Sequence, residues 1–140
     1  MDGLLTMVVE TPRGSLAKRG EGGRLDFLSP VPAPFNYGRI EGVSGADGEG
    51  QDALLLGPRL SAGARFQGRS IGAVRFLDAG LADDKWILSP AGRVSPAEFH
   101  RIHRFFSMYT VIKNIGGLLR SGSCNTSFQG IDLWKPNHME

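Results

Sequence analysis

Glycine and proline divide this chain into short apolar runs. The 140 residues include 20 glycines and 8 prolines, and both residue types favour turns and interrupt regular elements. Leu4 to Glu10 and Asp52 to Leu56 are typical of short strands, the second of them buried. Ala64 to Leu77 is either one long strand bent near Gly68 or two strands joined there. Many short strands separated by glycine predict a small β-barrel.

One segment has helical periodicity instead. Ser95-Pro96-Ala97-Glu98 is a capping box with proline at the first helical position. An apolar stripe follows at helical spacing, formed by Phe99, Ile102, Phe106 and Tyr109. Gly116-Gly117 predicts that this helix covers about residues 96–114. We therefore expect a mainly β (α+β) barrel domain over residues 1–116 with one main C-terminal helix, followed by an irregular tail over residues 117–140.

Composition narrows the class of protein. The formal net charge is +2 with a pI of about 9.0, and no long basic run is present, so a mildly basic surface explains the balance better than a nucleic-acid partner. The single cysteine, Cys124, excludes an internal disulfide and fits a reducing compartment. The N-terminus lacks the basic region of a signal peptide, and no apolar run approaches the roughly 20 residues of a membrane span. The expected location is cytoplasmic, without a membrane partner.

Two acidic clusters carry the strongest chemical signal. The first contains Asp47, Glu49 and Asp52, and the second runs from Asp78 to Asp83-Asp84-Lys85. Each borders a strand-like run, and carboxylates at strand ends suit hard cations such as Mg²⁺, which often bring phosphates with them. Each residue also has an ordinary structural interpretation, since an acid in a glycine-rich loop is commonly a solvated turn former. Tyr37 and Tyr109, taken alone, are more often packing residues with one polar tip than binding residues.

Several stretches in the same order resemble the soluble (family I) inorganic pyrophosphatases. The resemblance covers about residues 5–113 and rests on Glu10 to Ser15 with Lys18, Phe35-Asn36-Tyr37-Gly38, Asp47 to Asp52, Ser70 to Val74 with Asp78, Asp83 and Lys85, and His103 to Phe106 with Tyr109. It implies an OB-like antiparallel β-barrel, a homo-oligomer, and Mg²⁺-dependent hydrolysis of pyrophosphate by a metal-activated water.

The resemblance also implies residue roles. Asp47, Asp52, Asp78 and Asp83 match metal-binding aspartates, and Glu10 matches an acid at the rim of the site that we include among the metal ligands. Glu49 matches the residue that accepts a proton from the metal-bound water. The residues that match phosphate contacts are Lys18, Tyr37, Lys85 and Tyr109, and Tyr37 is also counted with Glu49 as catalytic. Asp84 is an extra acid that we expect to face solvent.

The chain departs from the family pattern at functional positions. Glu49 replaces an aspartate, and Gly50-Gln51 stands where a proline and its neighbour are expected. Gly20, Phe27 and Thr110 replace a glutamate, an arginine and a lysine, so two cationic phosphate contacts are missing. Arg39, directly after the Asn-Tyr-Gly segment, is the best candidate to replace one as a substrate-binding residue.

Two other function classes stay open. A non-catalytic relative would keep the barrel and bind a phosphate compound or a protein partner, in line with the three lost positions. An OB-type nucleic-acid binder would need exposed aromatics along a basic groove, whereas here the aromatics fall in apolar runs and the loops are acidic.

Overall fold

The computed structural model describes residues 4–19, 25–29, 31–46, 48–122 and 126–134. Ten strands and one helix follow the chain in this order: β1 Leu5–Thr11, β2 Ala17–Arg19, β3 Leu25–Leu28, β4 Asn36–Ser44, β5 Gly50–Leu55, β6 Arg65–Gly68, β7 Ser70–Asp78, β8 Leu81–Ala82, β9 Lys85–Leu88, α1 Pro96–Ser121 and β10 Thr126–Leu133. The region from Ala64 to Leu77 therefore contains two strands, β6 and β7, as one of the two sequence interpretations had it.

One large sheet forms the body of the molecule. Its strand order is β10-β7-β9-β5-β4-β1-β6, with β8 paired to β7, while β2 and β3 form a separate hairpin. The pairing of β5 with β9 is parallel and the other ladders are antiparallel. Within the described residues no ladder joins β6 to β10, so the sheet is barrel-like without being closed.

Strand β5 is buried on both faces, which explains its continuous apolar sequence. Leu54 belongs to a core cluster with the helix residues Ile102, Phe106 and Tyr109. Its neighbours Ala53 and Leu55 belong to a second cluster with Met7, Ile40 and Leu88. Successive strand residues point to opposite faces, so β5 lies at the centre of the sheet, between two hydrophobic cores.

The start of α1 is confirmed. The Ser95 side chain accepts a hydrogen bond from the Glu98 backbone N–H at 3.1 Å, and the Ser95 N–H donates to the Glu98 carboxylate at 2.9 Å. The predicted end near Asn114 was wrong, because α1 continues to Ser121 and stops at Gly122, whose φ of 77° is left-handed. Gly116-Gly117 lies inside the helix, where each glycine costs about 1 kcal/mol relative to alanine without breaking the helix.

The prediction of an irregular tail was also wrong. Strand β10 pairs with β7 along its length, with an irregularity between Phe128 and Gly130, where Gly130 has a φ of 107°. Phe128 and Ile131 both pack on the helix-side core although they are three positions apart. The bulge therefore hides the alternation by which a strand is recognised in sequence. Within the described part of the chain, no helix is long and apolar enough to cross a membrane.

Candidate active site

The buried ammonium of Lys85 joins two of the predicted metal ligands. Lys85 Nζ lies 2.7 Å from Asp83 Oδ2 and 3.2 Å from Asp52 Oδ2, and Lys85 is only 1% exposed. The parallel register of β5 with β9 places Ala53 opposite Trp86. The preceding residues, Asp52 within β5 and Lys85 at the start of β9, therefore lie side by side. A buried charge requires such partners, and these aspartates neutralise the lysine.

Tyr37 extends this cluster from β4. Its hydroxyl donates to Asp52 Oδ2 at 3.1 Å, and Lys18 Nζ stands 4.6 Å from the centre of its ring. Burial, reinforced by the negative charge of Asp52, raises the pKa of Tyr37 well above its usual value. Tyr37 is thus held as a neutral hydrogen-bond donor.

Tyr109 approaches the same place from the helix. It is 4% exposed, packs on Phe76 and Phe106, and lines a small, mostly apolar pocket together with Lys18 and Tyr37. The structure therefore brings together four residues that match phosphate contacts, around the Asp52–Lys85–Asp83 cluster and the neighbouring pocket.

Glu10 and Arg39 form a second group on the neighbouring strands β1 and β4. Arg39 Nε lies 3.1 Å from Glu10 Oε2, while Arg39 Nη2 lies 4.0 Å from Glu49 Oε1. Burial raises the pKa of Glu10, and the Arg39 guanidinium offsets part of that rise. Glu49 itself has a side chain that is 69% exposed.

Asp78 has partners from the helix and from β10. Lys113 Nζ lies 3.5 Å from Asp78 Oδ2, and the Thr126 hydroxyl donates to Asp78 Oδ1 at 3.1 Å. The turn after Asp78 is formed by Ala79 and Gly80, both with positive φ, which matches a two-residue hairpin turn. That turn leads the chain back toward Asp83.

The expectation that Asp84 faces solvent was wrong, because its side chain is only 24% exposed and is bonded to the protein. Its carboxylate accepts hydrogen bonds from Arg75 Nη1 at 2.7 Å and from the Phe76 backbone N–H at 3.1 Å. Its carbonyl accepts from the Gln51 side chain, which also bonds the carbonyl of Asp52. Sequence reasoning missed these contacts, by which Arg75 and Gln51 hold the acidic turn, Asp83-Asp84, in place. An arginine on the strand before two consecutive acids was a usable signal.

The carboxylates of the two acidic clusters are the groups that could hold a metal ion. A cleft of about 80 Å³ lies between them and is lined by Ala46, Gly50, Asp52 and Asp83, among others. Carboxylate oxygens are the ligand type that Mg²⁺ takes, so the donor chemistry fits. Within the described stretches, however, no three His, Cys, Asp or Glu side chains gather closely enough to hold a metal ion. Asp47 lies outside the described residues, as do Gly20 and Cys124.

Comparison with known proteins supports the resemblance. A model of the inorganic pyrophosphatase family matches residues 7–118. The inorganic pyrophosphatase of Gluconobacter oxydans is 35% identical over 107 residues, with 71% of this chain and 61% of that protein covered. The inorganic pyrophosphatase of Haemophilus influenzae is 33% identical over 97 residues, with 64% of this chain and 55% of that protein covered. The chain thus spans 55–61% of the length of these two curated relatives.

Solved structures share the fold of this chain. The inorganic pyrophosphatase of Thermus thermophilus superposes with a TM-score of 0.76 at 23% identity, covering 94% of this chain and 83% of that one. The enzyme of Helicobacter pylori gives a TM-score of 0.73 at 21% identity, covering 93% and 84%. These likenesses confirm the predicted mainly β, OB-like fold with one C-terminal helix. The family model over residues 7–118 and the relative at 35% identity show that the chain belongs to the inorganic pyrophosphatase family.

Proposed function

We propose that this protein hydrolyses inorganic pyrophosphate to two orthophosphates in a Mg²⁺-dependent reaction. The observation that carries the proposal is the cluster of Asp52, Asp83, Lys85 and Tyr37 beside a cleft, in a chain of this family. Tyr37, Asp52 and Lys85 come from strands β4, β5 and β9, and Asp83 comes from the segment just before β9. Together they include both acids for a cation and donors for phosphate oxygens.

The acids would hold the metal. Asp52 and Asp83 line the cleft, and Asp47 and Asp78 complete the proposed ligand set, with Glu10 as the further predicted ligand at the rim. Bound Mg²⁺ supplies charge neutralisation and a water of lowered pKa. Glu49, with its largely exposed carboxylate, would accept the proton of that water.

The donors would place the substrate. Lys18, Tyr37, Lys85 and Tyr109 offer two ammonium groups and two hydroxyls to phosphate oxygens, and such charge-assisted hydrogen bonds are the stronger kind. The neutral Tyr37 hydroxyl can exchange its present acceptor, Asp52, for a phosphate oxygen. Arg39 is the predicted replacement for a missing phosphate contact. If it binds phosphate, its 3.1 Å bond to Glu10 must weaken.

The proposal extends to assembly and location. The family resemblance favours a homo-oligomer, and the single cysteine favours a cytoplasmic location.

A non-catalytic relative is the second candidate, and one observation favours it. The position where the family has a lysine after Tyr109 carries Thr110, whose hydroxyl donates to the Phe106 carbonyl within α1. That side chain offers the substrate no positive charge. Such a protein would bind a phosphate compound or a protein partner without hydrolysis.

Phosphate release from pyrophosphate, with and without Mg²⁺, tests the proposal. The wild type is compared with Asp52→Asn and Asp78→Asn, and with Glu41→Gln as a control in an exposed ion pair with Arg65. We expect Mg²⁺-dependent release that both aspartate variants lose and the control keeps. A folded wild type that releases no more phosphate than the variants would reject hydrolysis and support the non-catalytic relative.

A further inference from the structure

The Arg39 guanidinium contacts three groups that flank the candidate active site. Besides the 3.1 Å bond to Glu10, its Nη1 donates to the Gly50 carbonyl at 3.4 Å, and its Nη2 lies 4.0 Å from Glu49. The Arg39 and Glu10 side chains are each only 17% exposed. Arg39 therefore connects β1 to the acidic loop, which we define as the residues just before β5 that include Glu49. The Arg39–Glu10 pair is partly shielded from water, and charge interactions are stronger there than in open water.

Gly50 makes room for this arrangement. A Cβ atom at Gly50 would lie 3.3 Å from Arg39 Cδ and 3.4 Å from its Nη1, tighter than most real contacts. Arg39 is thus adjacent in space to Gly50, and Glu49 lies at the end of the same guanidinium. Gly50 and Glu49 are both departures from the family pattern.

We propose that Arg39 is a resident cation of the site, which positions Glu10 and the Glu49 loop and takes the place of a divalent ion between these two carboxylates. The inference rests on the proposed function and deepens it. A guanidinium and a divalent ion both need the same carboxylate oxygens, so they compete for Glu10. Mg²⁺ would consequently bind on the Asp52–Asp83 side of the cleft. This inference replaces two roles predicted from the family resemblance, Glu10 as a metal ligand and Arg39 as a phosphate contact.

Removal of the arginine charge should then open a metal site. We expect Arg39→Met to bind about one additional Mg²⁺ per chain, because Glu10 and Glu49 become available as oxygen ligands. The double variant Arg39→Met with Glu10→Gln should lose that gain. Arg65→Met is the control, since Arg65 makes an ion pair of 2.9 Å with Glu41 in which both side chains are exposed.

Titration calorimetry with Mg²⁺ alone measures this count without any turnover. An Arg39→Met isotherm equal to that of the wild type, in number of ions and in affinity, would overturn the inference. If Arg39→Met fails to fold, Arg39→Gln decides in the same way, since glutamine removes the charge but can still donate to Glu10.

Steady-state kinetics separates this inference from the proposed function. A positioning role predicts that Arg39→Gln lowers kcat more than it raises KM for pyrophosphate, whereas a direct phosphate contact predicts the reverse, and the reverse would count against us. If the wild type releases no phosphate while Arg39→Met gains an ion, the proposed activity fails and the resident cation stands. If the wild type is active and no ion is gained, the resident cation fails alone.

Discussion

Lys85 Nζ lies 3.2 Å from Asp52 Oδ2, although the two residues are 33 positions apart in the chain. The contact depends on the parallel pairing of β5 with β9, and the same ammonium also bonds Asp83 at 2.7 Å. Two carboxylates that would otherwise repel each other are thereby held on one side of the cleft.

Replacement of Lys85 by methionine should therefore destabilise the fold. Loss of one partner from a buried ionic group costs about 3 kcal/mol, because Asp52 and Asp83 lose their shared cation. Lys113→Met is the control, since Lys113 lies 3.5 Å from Asp78 with 30% of its side chain exposed, and we expect a loss below about 1 kcal/mol. Urea unfolding at neutral pH measures both, and equal losses would contradict the assigned role of Lys85.

Gly38→Ala should be still more damaging. A Cβ at Gly38 would lie 1.9 Å from the Val8 carbonyl oxygen of the paired strand, so β1 and β4 would have to separate at a cost above about 3 kcal/mol. Gly42→Ala separates this clash from backbone strain. Gly42 has a φ of 74°, and among the described residues beyond its chain neighbours no atom would lie within 4 Å of a Cβ added there. Strain alone costs about 1–2 kcal/mol. Thermal unfolding of both variants measures which one is less stable. A smaller loss of stability in Gly38→Ala than in Gly42→Ala would contradict the close approach of Gly38 to the Val8 carbonyl.

The buried Tyr37 hydroxyl should make stability depend on alkaline pH. Its pKa is raised in the folded state, so above about pH 10 the unfolded chain loses this proton while the folded chain keeps it. The stability that protonated Tyr37 contributes is fully present below the pKa that Tyr37 has in the unfolded chain. It is lost, at about 1.4 kcal/mol per pH unit, as the pH rises toward the pKa of Tyr37 in the folded protein. Urea unfolding from neutral to alkaline pH should show this decline in the wild type and a weaker one in Tyr37→Phe.

Ultraviolet absorbance of tyrosinate gives an independent check. The chain has two tyrosines, Tyr37 and Tyr109, so the difference between the wild type and Tyr37→Phe isolates the titration of Tyr37. Ionisation at the ordinary pH in the folded protein would contradict the raised pKa.

Asp84 offers a test of the bracing at the acidic turn. Asp84→Ala leaves the Phe76 backbone N–H without its acceptor, which costs about 1–3 kcal/mol. Arg75→Met removes two ion pairs and a cation–π contact with Trp134 from a side chain that is 40% exposed, for which we expect less than about 1 kcal/mol. Chemical unfolding should rank Asp84→Ala as the more damaging change, and the opposite ranking would assign the bracing to Arg75.

Sequence reasoning predicted the elements that are determined by residues close together in the chain. The capping box at Ser95 and the apolar run at β5 both fix their elements through nearby residues. The resemblance identified Asp52, Asp83, Lys85 and Tyr37, which the structure brings together. Their roles stay predictions.

Sequence reasoning failed where contacts between residues far apart in the chain determine the structure. Strand β10 is stabilised by β7 and by the Asn114 side chain, which bonds both backbone groups of Thr126. The ion pair of Arg39 with Glu10 joins residues 29 positions apart. Neither partner signals the other in sequence, and tertiary packing also overrides the helix-ending tendency of Gly116-Gly117.

The parallel ladder between β5 and β9 has a consequence for biosynthesis. As the chain leaves the ribosome, Gly50–Leu55 can pair at once with β4, but its other edge waits for Lys85–Leu88 to emerge. During that interval the nascent protein displays an unpaired edge with the apolar sequence Ala53-Leu54-Leu55, a template for association with other chains. Pairing with β9 covers this edge, and the same event brings Lys85 to Asp52.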